Sequence, residues 1–279
     1  MILTPNDVEH RELHNILLSG VAPRPIALVA SQDKDANVNL SPFSFFNAFA
    51  SKPPIVAIGP AFSAKTGKAK DTYLNILETG VCTISAVTYS MVEAISLASC
   101  EYPKGVDEFI KSGLTKIDSQ SISVPGVAES PFIMECTFLE NIPLGRDIGG
   151  NGNIMLLQVS SFTIDDNMFV DGRLHPHKLD LVSRMGYNWY SRSDEHSVFE
   201  LHKPQWNGIG VDSLPREITH STVLTGNNIA KLAGIKQIPV KNPTFVVDFT
   251  TIDEQHLLAQ QFLHSGDIES AWQTLLKNK

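Results

Sequence analysis

The feature that most constrains this chain is a series of short β-rich runs separated by only single short helices. Pro25-Ile26-Ala27-Leu28-Val29-Ala30-Ser31 is the first run, ended by the polar turn Gln32-Asp33-Lys34-Asp35. Val38 to Phe46 is the second, and Pro42 within it belongs on a sheet edge or at a bulge, because proline cannot donate to a strand ladder. Ile55 to Ile58 reads as a strand buried on both sides, and Val81 to Val87 as a central one. Phe132, Met134, Cys136 and Phe138 alternate with their neighbours as a half-buried strand should. Asn153 to Asp165 supplies another long strand. Asp71 is the expected N-cap of a helix through Leu77 that Gly80 stops, and Ser90 to Ser99 is a second short helix. Two helices cannot cover both faces of a parallel sheet. The expected fold is therefore mainly β with helices, a closed and mostly antiparallel barrel.

After about residue 205 the pattern turns helical. Asn227 or Asn228 starts a helix that Gly234 ends, and Asp253 caps another that runs to Gly266. Asp267 caps a last helix containing Trp272. The final two form a hairpin too small to bury a core alone. The expected organisation is a barrel domain over 1–200, with a mostly helical extension over 201–279 packing on the barrel or on a partner subunit. The net charge of -8 falls entirely on residues 1–200, whereas residues 201–279 carry seven basic and seven acidic side chains. An acidic chain of this kind is not expected to bind nucleic acid. With 42% hydrophobic and 19% charged residues the chain has material for a core, which argues against disorder. No apolar run reaches the roughly 20 residues of a membrane span, and no signal-peptide pattern opens the chain, so a cytoplasmic protein is the expectation.

Few residue patterns point to chemistry on their own. Cys82, Cys100 and Cys136 lack the spacing of a zinc or iron–sulfur set and read as reduced thiols, two of them on strands. His10 and His14 share a helical face but sit in His-Arg-Glu-Leu-His, and His175-Pro176-His177 has no cysteine nearby; both pairs read as ordinary histidines, and no metal is expected. Gly149-Gly150-Asn151-Gly152 precedes a strand, not a helix, which suits a hairpin loop better than a dinucleotide fingerprint. There is no GxSxG elbow and no P-loop. The stretch from Ser41 to Lys70 is more informative. Ser41-Pro42-Phe43-Ser44-Phe45-Phe46-Asn47 sets small polar groups among aromatics on an interrupted edge, where free backbone groups can meet a planar heteroaromatic ring. Lys65, Lys68 and Lys70 then lead into a helix start at Asp71-Thr72, a combination suited to holding a phosphate. Taken singly, the first segment could be core and the lysines a solvated loop.

Together these segments resemble the flavin reductase-like family with its FMN-binding split barrel. The resemblance rests on Pro23-Arg24-Pro25-Ile26-Ala27-Leu28-Val29, Ser41 to Asn47, Pro53-Pro54, Lys70-Asp71-Thr72 with Asn75-Ile76, and Gly105-Val106-Asp107-Glu108-Phe109. It continues through Glu129-Ser130-Pro131 and Glu135-Cys136 to Arg184, Gly186 and Trp189-Tyr190, spanning roughly residues 15 to 192. It implies FMN bound at a homodimer interface and, in many members, flavin reduction with NADH or NADPH as co-substrate. Other members are electron-transfer flavoproteins, so a non-enzymatic electron carrier or flavin store is the alternative. By the same resemblance, Ser44, Phe45, Asn47 and Ala48 match positions facing the flavin ring and ribityl chain. Lys70, Asp71 and Thr72 match the phosphate end, and Arg24 and Arg184 match further family positions, Arg184 in some cases from the partner subunit. Because a flavin performs hydride chemistry itself, no catalytic acid or base is expected. The segment Gly208 to Asn227 resembles an extension present in some members only.

Overall fold

The computed structural model describes residues 1–63, 66–145, 152–201, 203 and 207–277. Lys65 and most of the glycine cluster at 149–152 lie outside these residues. The chain divides into two compact units, Met1–Phe199 and Glu200–Lys279.

In the first unit, helix α1 (His10–Gly20) precedes seven strands: β1 (Ala27–Gln32), β2 (Val38–Phe43), β3 (Phe46–Ser51), β4 (Pro54–Ile58), β5 (Val81–Ala86), β6 (Phe132–Pro143) and β7 (Asn153–Ile164). They pair in the order β2-β1-β5-β6-β7-β4-β3, every pair antiparallel. The two edge strands, β2 and β3, are consecutive in sequence. Phe43 and Phe46 are three residues apart, a reach of at most about 11 Å. A flat seven-stranded sheet would hold those edges about 29 Å apart, at about 4.8 Å per strand. The sheet must therefore curl until its edges meet at Ser44-Phe45. It is a barrel whose hydrogen-bonded circuit stays open between β2 and β3.

Strand β1 explains its own composition. Ala27 and Val29 enter one core with Ile84, Cys136, Met155, Leu157 and Ile76 of helix α2 (Asp71–Thr79). The intervening Leu28 and Ala30 enter another with Leu40, Ile95 of α3 (Val92–Ala98) and Phe109 of α4 (Glu108–Ser112). Successive side chains point to opposite faces, so a strand covered on both sides reads as a continuous apolar run. Pro42 lies on edge strand β2, opposite Leu28, as its missing N–H demands.

Three local expectations are corrected. The run Val38 to Phe46 is two strands, because barrel closure breaks it at Ser44-Phe45. Residues 133–136 are all buried, so this part of β6 does not alternate between core and solvent. The buried Glu135 is accommodated by Gln120 N–H at 2.6 Å and Ser121 N–H at 2.9 Å. Burial alone would raise its carboxyl, but hydrogen bonds led by Ser121 outweigh that and hold it below the ordinary range. Helix α2 has Lys70, not Asp71, at its N-cap position, while Gly80 closes it at φ 74°.

In the second unit, α5 (Gly226–Ala233) is capped by Thr225 and α6 (Ile252–His264) by Thr251, each in a reciprocal box with Asn228 or Glu254. The helix expected to start at Asn227 or Asn228 thus starts at Gly226, and the cap expected at Asp253 is Thr251, two residues upstream. Asp267 caps α7 (Ile268–Leu275), accepting from Ser270 N–H at 2.9 Å. The α6–α7 hairpin shares a core with Leu214, Ile218, Leu224 and Leu232 of the same unit, centred on the buried Trp272. Its indole N–H donates to Leu232 C=O at 3.2 Å. Among the described residues, no helix is long and apolar enough to cross a membrane.

Candidate functional site

The corner that closes the barrel also forms the wall of a groove. Three adjoining clefts of about 190, 210 and 150 Å³ meet at Ser99, just past the end of α3. The first is floored by Asn39 and Ser41 of β2 and bounded by Lys68, Lys70, Asp71 and Thr72. The middle one runs along Pro42, Phe43, Ser44 and Phe45. The last is bounded by Ile26, Ile95, Arg184 and Tyr190.

Each end has a different character. At the first, α2 begins with Lys70 in the cap position, and among the described residues no side chain is bonded to its leading amides. Uncapped amides at the positive end of a helix favour an anion. Lys70 Nζ lies 3.3 Å from Glu101, an exposed pairing of small stabilising effect that leaves the ammonium beside the groove. The Thr72 hydroxyl donates to Asn39 Oδ1 at 2.6 Å. At the opposite end, the Arg184 guanidinium lies over the Tyr190 ring at 4.6 Å and donates to Tyr187 C=O at 2.8 Å. Between them, Phe45 is 42% exposed. Gly59 makes that wall possible: its N–H donates to Phe45 C=O at 2.7 Å, and a Cβ on it would fall 2.7 Å from the Phe45 Cβ.

Of the residues singled out from sequence, the fold brings Ser44, Phe45, Lys70, Asp71, Thr72 and Arg184 to this groove. It does not bring Arg24, Asn47 or Ala48 there. Arg24 is only 5% exposed and spends its guanidinium on backbone carbonyls, donating to Leu18 at 2.5 Å, Val21 at 2.6 Å and Met185 at 3.0 Å. Burial, with Arg184 nearby, lowers its pKa from the ordinary arginine value. Asn47 and Ala48 lie exposed on edge strand β3, the Asn47 side chain accepting from Ala48 N–H at 2.8 Å. Sequence reasoning passed over Asn39, Ser99, Cys100, Tyr102 and Glu108, which also bound the groove. Nothing local marks them, apart from Glu108 lying in a block that resembles the family. Among the described residues, no three His, Cys, Asp or Glu side chains group as metal ligands.

The family model for the flavin reductase like domain matches residues 19–177, more than half of the chain. The chain belongs to the flavin reductase-like family. A protein of Halalkalibacterium halodurans is 34% identical over 206 residues, covering 73% of this chain and 97% of the relative. Component B of nitrilotriacetate monooxygenase from Bacillus cereus superposes with a TM-score of 0.67 at 32% identity, over 72% of this chain and 98% of that one. A Shewanella frigidimarina protein with a split barrel domain superposes at 0.62 with 23% identity, over 72% and 100%. The flavin reductase-like fold is thus a split barrel here too, and the family brings flavin-related oxidoreductase chemistry. The groove suits such a ligand: an anion-favouring helix start at one end, and a half-exposed aromatic side chain at the barrel corner beside it.

Proposed function

We propose that the chain binds FMN in this groove as a homodimer and is an NAD(P)H-dependent flavin oxidoreductase. One observation carries the reading: the groove joins the uncapped start of α2, with Lys68 and Lys70 beside it, to the cleft along Pro42 to Phe45. Lys70 borders both clefts, which suits it to a phosphate at the end of a ribityl chain. When bound, the flavin supplies the hydride chemistry, and the protein's task is to bind, orient and shield it. Lys70 and the α2 amides would hold the phosphate, with the Ser44-Phe45 corner and Arg184 left to orient the rest of the flavin. Hydride transfer between a nicotinamide and a flavin would need no side-chain acid or base, so none is assigned. The monooxygenase component from Bacillus cereus, at 32% identity, supports an oxidoreductase role for the shared domain.

Stopped-flow mixing of the FMN-loaded protein with NADH and with NADPH tests this. The expected result is bleaching of the flavin absorbance by at least one of them. Tight FMN binding with no bleaching by either nucleotide would overturn the reductase reading and leave an electron carrier. A chain that quenches no FMN fluorescence would overturn the cofactor as well.

A further inference from the structure

Glu108 opens helix α4, is only 7% exposed, and bounds the phosphate end of the groove from beneath. Its Oε2 accepts two hydrogen bonds from β2, from Leu40 N–H at 2.9 Å and Asn39 Nδ2 at 3.0 Å. The other end of the same Asn39 amide, Oδ1, accepts from the Thr72 hydroxyl at 2.6 Å. One chain of hydrogen bonds therefore links α4, β2 and the first turn of α2. A second tie, from Asn75 Nδ2 to Ser31 Oγ at 3.2 Å, holds α2 one turn further along.

The chain has a direction. An ionised carboxylate can only accept, so the end of the Asn39 amide that meets Glu108 must be its NH2 group. That leaves the amide oxygen facing Thr72, whose hydroxyl must then donate inward. Without the carboxylate, Asn39 could turn its amide over and present NH2 to Thr72. We propose that Glu108 is a positioning residue for the phosphate end of the flavin site, acting through Asn39 to fix Thr72 and the α2 amides. This rests on the FMN reading of the groove. Burial pushes the Glu108 carboxyl above the ordinary range, while bonds from Leu40 and Asn39 pull it back, so the acid is held there against a desolvation cost. A non-polar side chain would fill the same space without that cost. Setting the amide of Asn39 is something only an acceptor at this position can do.

The test compares FMN with riboflavin, which lacks the phosphate, by fluorescence titration of the full chain. Glu108→Leu is expected to weaken FMN about tenfold, equivalent to about 1.4 kcal/mol, while riboflavin changes far less. Glu108→Gln should restore most of the FMN affinity, because both bonds go to one oxygen and a glutamine oxygen can accept them. Asn39→Leu breaks the same chain at its middle and should repeat the selective loss, which keeps the test open if Glu108→Leu fails to fold. Equal losses of FMN and riboflavin, or no loss in either variant, would overturn the positioning role. A wild-type chain that binds neither flavin would instead overturn the flavin reading of the groove, and this role with it.

Discussion

Lys70 stands at the cap position of a nine-residue helix and makes no side-chain cap bond, so its ammonium and the leading amides would act on the same anion. Hydrogen bonds to charged groups contribute about 1.5–3 kcal/mol each, so Lys70→Ala should weaken FMN by about tenfold or more. Riboflavin binding should hardly change. Equal losses for the two ligands would show that Lys70 does not meet the phosphate. Arg24 is expected to behave in the opposite way. Its guanidinium holds the carbonyls of Leu18 and Val21 at the end of α1, and that of Met185, 161 residues away in sequence. Arg24→Met removes all three part-buried bonds and leaves their carbonyls without this partner. It should cost on the order of 3 kcal/mol of stability in urea unfolding, with little effect on the preference for FMN over riboflavin. A fully stable variant that had lost FMN would return Arg24 to the binding site.

At the scale of elements, the sequence shows where strands and helices run more clearly than where they are capped or where the barrel closes. β1 is legible because burial on both faces imposes a continuous apolar run, and the start of α2 because lysines lead into a helix-forming segment. The break at Ser44-Phe45 is illegible: Pro42 signals an edge or a bulge within Val38 to Phe46, but only the meeting of two sheet edges places a corner after Phe43. Asn39, Ser99 and Glu108 are illegible as a site for the same reason: they converge from three separate elements. The caps were misplaced where an acidic residue sits just inside a helix that a threonine opens, as Thr251 does before Asp253. Helix α6 carries a pH-dependent contact as well. Ser221 Oγ accepts from Val223 N–H at 3.1 Å and Leu224 N–H at 2.9 Å, so its own hydrogen is directed at His256 Nδ1, 2.8 Å away. That bond needs a neutral imidazole. Burial lowers the His256 pKa from its ordinary 6.5, with Asp253 opposing. Below that value the unfolded chain binds a proton that the folded chain resists. The stabilisation is thus complete above about pH 6.5 and is lost as pH falls through the window beneath it. His256→Gln should therefore reduce the loss of stability between about pH 7.5 and about pH 5, measured by urea unfolding. An unchanged slope would remove His256 as its source.

At the scale of the whole molecule, the outer strand of the barrel is exposed. Asn47 to Ser51 of β3 are all exposed, on an edge whose outer backbone groups pair with no other strand among the described residues. Phe49 is 68% exposed, and Trp189, beyond Arg184, is 74% exposed. Bare strand edges invite pairing, and proteins that leave one usually blunt it with charge or proline. Phe46-Asn47-Ala48-Phe49-Ala50-Ser51 carries neither. Aromatic side chains and arginine are also enriched at subunit interfaces, and Tyr187, Trp189 and Tyr190 cluster in sequence beside Arg184. The expected working unit is a homodimer of about 61 kDa, twice the 30.6 kDa chain. Phe49→Glu should then shift sedimentation toward the monomer, because a charge on the outer strand would be desolvated in the interface, and FMN affinity should fall with it if the partner helps close the groove. Arg184→Ala tests the groove itself and should weaken FMN without dissociating the dimer. A wild-type chain that sediments near 31 kDa with FMN fully bound would reject the shared site, because one chain would then suffice to hold the cofactor.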